Sequence, residues 1–202
     1  MRQQMNTIMV RDVPILASIL IFFTLSSSFT TIAVAVRSQD FATNLDMNVY
    51  GLKKEKFSHF RFYWHDIYSG PNPSAAVIVK SPTNDISGFG LISMIDDPLT
   101  EKPQLSSKLI GRAQGFYGAA SQEHVGALLM VMNFVFLEGK YNGSTLSILG
   151  RNKVLSDVRE MPVIGGSGLF RFAKGYVQAT TYSFNQTSGD AVVEYNVYVF
   201  HY

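Results

Sequence analysis

The chain has 202 residues, of which 47% are hydrophobic and 13% aromatic, enough for one sizeable core. Its formal net charge of +2 argues against a nucleic-acid surface. The absence of cysteine excludes disulfides, thiol chemistry and thiolate zinc sites. At the N-terminus, Arg2 and Arg11 precede an apolar run at 15–25, followed by Ser26-Ser27-Ser28 and Ala33-Val34-Ala35. A basic start, an apolar middle and small residues at the cut make a secretory signal peptide, predicted over 1–35. Cleavage is placed after Ala35, with Ser28 the alternative and a retained anchor the alternative fate. The apolar run is too short for a predicted membrane span. Residues 36–56 are polar without a period and are predicted as a flexible segment ahead of a domain at 57–202.

The first predicted strand, 58–68, contains Phe60-Arg61-Phe62-Tyr63-Trp64-His65-Asp66-Ile67-Tyr68 and ends at the turn Ser69-Gly70-Pro71-Asn72-Pro73. Alternate side chains of a strand share a face, so Phe60, Phe62, Trp64 and Asp66 line up. A carboxylate in line with three large apolar groups is costly to bury unless it is paired or neutral. Asp66 is therefore a candidate for chemistry in an apolar pocket. The alternative is a residue at the strand's wet end that caps the turn. His59 and His65 fall on the opposite face and are expected at a surface or interface.

Further strands are predicted at 75–80, 90–96, 108–119, 127–137, 144–149, 169–184 and 191–202, separated by turn residues at 97–98, 138–140, 165–168 and 188–190. Many strands at short spacing predict a sandwich or barrel. Residues 127–137 (ALLMVMNFVFL) are apolar on both faces. In a small barrel one face fills the interior and the other needs cover, which predicts an oligomer; a covering loop is the alternative. Gly165-Gly166-Ser167-Gly168 reads as a tight turn. The histidines show no metal-ligand spacing, and no phosphate loop, nucleophile elbow or dinucleotide fingerprint occurs. Arg112 and Arg159 are candidates to point into a pocket and hold an acid ionised or bind a phenolic oxygen. Asp96, at the end of an apolar strand, and Tyr117, Tyr182 and Phe184 are candidate lining. Asn142 and Asn185 lie in glycosylation sequons, which agree with export.

Several segments resemble the plant dirigent family. They are Phe62-Tyr63-Trp64-His65-Asp66-Ile67, Ile95-Asp96-Asp97-Pro98-Leu99-Thr100, Gly111-Arg112-Ala113-Gln114-Gly115-Phe116-Tyr117, Gly143-Ser144-Thr145-Leu146-Ser147-Ile148-Leu149-Gly150, the run from Arg159-Glu160-Met161-Pro162 to Gly168, and Phe170-Arg171-Phe172-Ala173-Lys174-Gly175-Tyr176. The resemblance spans about 57–202. It implies an all-β fold, an eight-stranded antiparallel β-barrel of the dirigent or allene-oxide-cyclase kind with a pocket in each subunit. It implies a homotrimer, with a dimer the alternative, in the apoplast or cell wall. Such proteins steer the coupling of phenoxy radicals, typically from monolignols such as coniferyl alcohol, towards one stereoisomer of a lignan. A separate oxidase, a laccase or peroxidase, makes the radicals, and the dirigent protein itself needs no cofactor. The resemblance assigns Asp66 as acid or base on a quinone methide, and Arg159 as a group that binds a phenolic oxygen or holds a partner in place. Lignan-forming members carry a second pocket aspartate where this chain has Asn152, and an amide cannot exchange a proton as a carboxyl does. Gly150-Arg151-Asn152 looks more like the subgroup that includes pterocarpan synthases, lyases that remove water from an isoflavanol. That activity is the alternative function. A non-catalytic defence protein that binds phenolics or glycans is a third.

Overall fold

The computed structural model describes residues 45–52, 54–83 and 85–202. The predicted signal peptide and residues 36–44 of the predicted flexible segment lie outside the described residues. Nine strands follow in chain order: β1 (Lys56–Asp66), β2 (Ala75–Val79), β3 (Ile92–Thr100), β4 (Leu109–Ala119), β5 (Ala127–Phe136), β6 (Thr145–Lys153), β7 (Arg159–Ser167), β8 (Lys174–Phe184) and β9 (Ala191–His201). Among the described residues no helix is long and apolar enough to cross a membrane.

All pairings are antiparallel, in the order β1-β9-β8-β7-β6-β5-β4-β3-β2, and β3 also pairs with β1. That last pairing closes eight strands into a barrel. β1 and β2 share one edge of β3 in succession, with Trp64 opposite Leu99 and Ala75 opposite Ile95. The chain between them, residues 67–74, loops out at the break. Closure joins β1 to β3, while β2 pairs only with β3 and keeps its other edge unpaired among the described residues.

Period-2 alternation sends one face of each strand inward. On β5 the buried set is Met130, Met132, Phe134 and Phe136; on β9 it is Val193, Tyr195, Val197 and Val199. The outward face of β5 carries Leu129, Val131 and Val135, and Leu129 is exposed. One end of the barrel is filled by aromatic rings. Phe60 makes an edge-to-face contact with Tyr141 at 5.0 Å and Phe170 at 5.7 Å, and Tyr141 stacks on Phe170 at 5.5 Å. Burying each such ring contributes roughly 1.5–3 kcal/mol. Gly175 on β8 lets the neighbouring strand approach closely, because a Cβ there would overlap the Tyr198 carbonyl.

Three local expectations from the sequence are corrected. Asp97-Pro98 is not a turn but lies inside β3. Pro98 is tolerated there because it falls between Ile95, paired with β2, and Leu99, paired with β1, opposite the break between them. Gly165-Gly166-Ser167 is not a turn either. It ends β7 and pairs with Ser147, Leu146 and Thr145 of β6 after a register shift. A one-turn 3-10 helix, Gly168–Phe170, follows, so β8 begins at Lys174 rather than at 169.

Candidate active site

The end of the barrel opposite the aromatic plug is open. It holds a cavity of about 400 Å³, walled by Trp64, Tyr117, Leu128 and Val193, with Asp66 and Asn152 among its polar groups. A largely apolar concavity with a few convergent polar groups is the form of a small-molecule site.

β1 delivers Asp66. Trp64 and Phe62 point into the core one and two alternate positions deeper, and Asp66 continues their face into the cavity wall. Tyr117 Oη donates to Asp66 Oδ2 at 2.7 Å. Asp66 Oδ1 is buried and has no hydrogen-bond partner among the described residues. Burial raises the carboxyl pKa to about 6; the Tyr117 bond opposes the rise and the charge of Asp190 adds to it. A group poised there exchanges a proton readily near neutral pH.

A second buried carboxyl, Asp97 on β3, escaped the sequence reading. It is fully buried, whereas its neighbour Asp96 is exposed. Ser74 Oγ donates to Asp97 Oδ1 at 2.5 Å, and Oδ2 has no partner among the described residues. The Trp64 indole N–H is near enough to favour the charged form but closes no hydrogen bond of ordinary geometry. Burial, reinforced by the charge of Asp66, raises Asp97 to about 8. Asp97 is therefore neutral at pH 7 and lies behind the cavity wall, where Ser74 ties it to the loop at the β1–β2 break. The signal that could have found it is the strand alternation of Asp96 and Asp97, which the expected turn obscured.

Arg159, the first residue of β7, is buried, and its Nε donates to Asn152 Oδ1 at 3.1 Å. One terminal nitrogen donates to Thr181 Oγ1 at 3.0 Å. No carboxylate among the described residues lies within salt-bridge distance of it. Burial lowers its pKa, with Tyr195 acting in the opposite sense. Asn152 and Thr181 line the cavity, and Arg159 stands behind them. With Oδ1 taken by the guanidinium, the amide N–H groups are the donors that Asn152 has to offer a ligand. The positive charge behind them suits an oxygen that gains negative charge.

The other expected lining residues divide. Tyr117 and Phe184 line the cavity. Asp96 and Arg112 do not: both face outward, and Arg112 Nε donates to Asp96 Oδ1 at 2.5 Å while its NH2 donates to the Asp96 carbonyl. Pro98 lies opposite Arg112 and Asp96 opposite Gln114, so all four side chains share the outer face. Tyr182 also points out, exposed and edge-on to Tyr63. His65 is on the face opposite Asp66 but is buried rather than at a surface, 2.7 Å from Thr100 Oγ1. Tyr68, just beyond β1, lines the cavity on the same alternating face as Asp66; it fell inside the predicted first strand but was not singled out. Asn142 and Asn185 are both exposed, each in a turn.

Known proteins share this architecture. The profile of the family described as Dirigent-like protein matches residues 57–200. Dirigent protein 7 of Arabidopsis thaliana is 54% identical over 184 residues, covering 91% of this chain and 98% of that one. Pterocarpan synthase 1 of Glycyrrhiza echinata is 47% identical over 184 residues, covering 89% of this chain and 97% of that one. The solved pterocarpan synthase dirigent protein GePTS1 matches with a TM-score of 0.70 at 50% identity, over 74% of this chain and 87% of that one. On the profile match and the identity to these relatives, the chain belongs to the dirigent family.

Proposed function

We propose that the open end binds a phenolic substrate and controls the stereochemistry of a reaction that passes through a quinone methide, with Asp66 as the acid. The carrying observation is one carboxyl in an apolar cavity, raised to about 6, facing an amide backed by a buried cation. In the reading the site fits best, Asp66 protonates a benzylic hydroxyl of an isoflavanol. The C–O bond breaks and water leaves. A ring phenol gives up its proton to solvent, which leaves a neutral quinone methide. A second phenolic oxygen then adds to the exocyclic carbon and its proton restores Asp66, while the ring regains its aromaticity and takes a proton back from solvent. The sum is loss of one water, so no oxidant is consumed. Asn152, held by Arg159, donates to the quinone oxygen as it gains negative charge. The apolar walls hold the two reacting faces together.

Coupling of phenoxy radicals made by a laccase or peroxidase, as in lignan formation, is the second reading. The similarity to Dirigent protein 7 favours it. It ranks second because joining two monolignols leaves two quinone methides to be closed. This cavity offers one carboxyl and an amide, Asn152, in place of another. In either reading the protein is exported to the cell wall, carries glycans at Asn142 and Asn185, and assembles through the apolar outer face of the barrel. Chiral chromatography of products from isoflavanols and monolignols, each with and without oxidase, tests the proposal. Ring closure of an isoflavanol by the protein alone, in one enantiomer, is the expected result. A stereochemically biased lignan only when oxidase is present would favour the second reading, and no bias with any phenolic would refute both.

A further inference from the structure

The polar side of the cavity holds more hydroxyls than the proposed acid step uses. Tyr117 Oη is 2.7 Å from Asp66 Oδ2, Tyr68 Oη is 2.5 Å from Tyr117 Oη, and Ser93 Oγ is 2.6 Å from Tyr68 Oη. The four groups come from β1, β4, the loop after β1, and β3. Ser93 is fully buried, whereas Tyr68 and Tyr117 line the cavity.

Each hydroxyl has one proton to give, so the chain has few complete arrangements. If Tyr117 donates to Asp66 and Tyr68 donates to Ser93, no proton lies between the two tyrosine oxygens. Two lone pairs would then face each other at 2.5 Å. With Asp66 ionised, the consistent order is Ser93 to Tyr68 to Tyr117 to Asp66. With Asp66 protonated, the whole chain can reverse, from Asp66 through Tyr117 and Tyr68 to Ser93. The two orders differ by one proton at Asp66 and by the direction of every link.

We propose that Tyr68 is the cavity-side entry of a hydroxyl relay that returns a proton to Asp66 after it has protonated the leaving group. This rests on the function proposed above. Asp66 gives one proton to the departing hydroxyl as the C–O bond breaks. The phenol that closes the ring loses one proton as its O–C bond forms. That proton passes to Tyr68 Oη, the Tyr68 proton passes to Tyr117 Oη, and the Tyr117 proton passes to Asp66. Both tyrosines end neutral, Asp66 ends protonated, and the balance is loss of one water. The shift avoids a free tyrosinate, which burial disfavours: Tyr117 is pushed well above the ordinary phenol range. The relay lets attack and departure occur at separate points of the cavity, with one carboxyl serving both.

The other ionisable groups near Asp66 are Asp97 on β3, Asp190 before β9, Tyr195 on β9 and Arg159 on β7. The test reads the ring carbon bearing the hydroxyl by NMR in full-length protein labelled at tyrosine, across a pH titration. Tyr68→Phe and Tyr117→Phe spectra assign the signals, and an Asp97→Asn background removes the second carboxyl. Tyr68 and Tyr117 are expected to shift together with a single midpoint, and both to be flat in Asp66→Asn. A Tyr68 signal that stays flat while Tyr117 titrates would overturn the relay. This readout needs no substrate, so it stands whether or not the proposed reaction is found. With an isoflavanol that turns over, Tyr68→Phe is expected to lower kcat about tenfold and leave KM within about threefold. An unchanged kcat would remove the relay from catalysis.

Discussion

The two ends of the barrel are made from the same strands yet do opposite things. At the closed end Phe60, Phe136, Tyr141 and Phe170 pack ring against ring, and the buried His201 beside Phe170 has Ser58 Oγ as a partner at 2.9 Å. At the open end Asp66, Asp97, Tyr195 and Trp64 each leave a buried polar atom without a partner among the described residues. An orphaned buried polar atom costs roughly 1–3 kcal/mol. The closed end therefore supplies stability, and the open end gives some of it up around Asp66, the one of these acids that lines the cavity. Strain tolerated at a site and offset elsewhere in the fold is what functional sites commonly show.

Three substitutions sharpen or break that contrast. Phe170→Ala, at the closed end, is expected to lower stability by about 3–5 kcal/mol in denaturant unfolding, with activity per folded molecule unchanged. A loss of activity without a loss of stability would erase the division between the ends. At the open end the effect is on the pH dependence. Asp66 and Asp97 bind protons more tightly folded than unfolded, because burial raises them to about 6 and about 8. Their contribution to stability is complete below the unfolded carboxyl pKa of about 4. It declines as pH rises through about 6 and then about 8, by at most about 1.4 kcal/mol per pH unit for each group. Thermal unfolding across pH should show this fall, and Asp97→Asn should flatten its upper half. The smallest effect on stability is expected of Asn152→Asp, within about 1 kcal/mol, because the new ion pair with Arg159 is offset by desolvation. It removes the amide donors, so calorimetry should find an unreactive phenolic ligand bound about tenfold more weakly. Tighter binding would show that the donors do not face the ligand.

Much of this was legible in the sequence, and the failures have physical causes. The face Phe60, Phe62, Trp64 and Asp66 follows from strict alternation, and the structure keeps it to the end of β1. Residues 127–137 read as apolar on both faces, so the expected barrel put one face inside without saying which; that face is Met130, Met132, Phe134 and Phe136. Alternation failed where glycine or proline made a strand look like a turn. β7, with Pro162, Gly165 and Gly166, was missed as a strand, although Arg159 at its start was singled out. Pro98 hid the continuation of β3, so Asp96 was taken for the inward acid in place of Asp97. In both places the neighbouring strand, absent from any local pattern, decides which backbone groups must pair. Tyr68 shared the predicted face of Asp66 within the first strand, but nothing local set it apart from the other aromatic residues of that run. The placing of Arg159 behind Asn152, rather than in the cavity, depends on packing between β6, β7 and β8 and has no local signature.

The most direct test is turnover of one phenolic substrate by wild type and Asp66→Asn, with the dissociation constant of an unreactive analogue measured for both. Asparagine matches the shape of the carboxyl but cannot give up the proton. A fall of about a hundredfold or more in kcat, with binding changed by less than about threefold, is predicted. Equal turnover by the two proteins would contradict the account, since the open end would then hold no acid that the reaction uses.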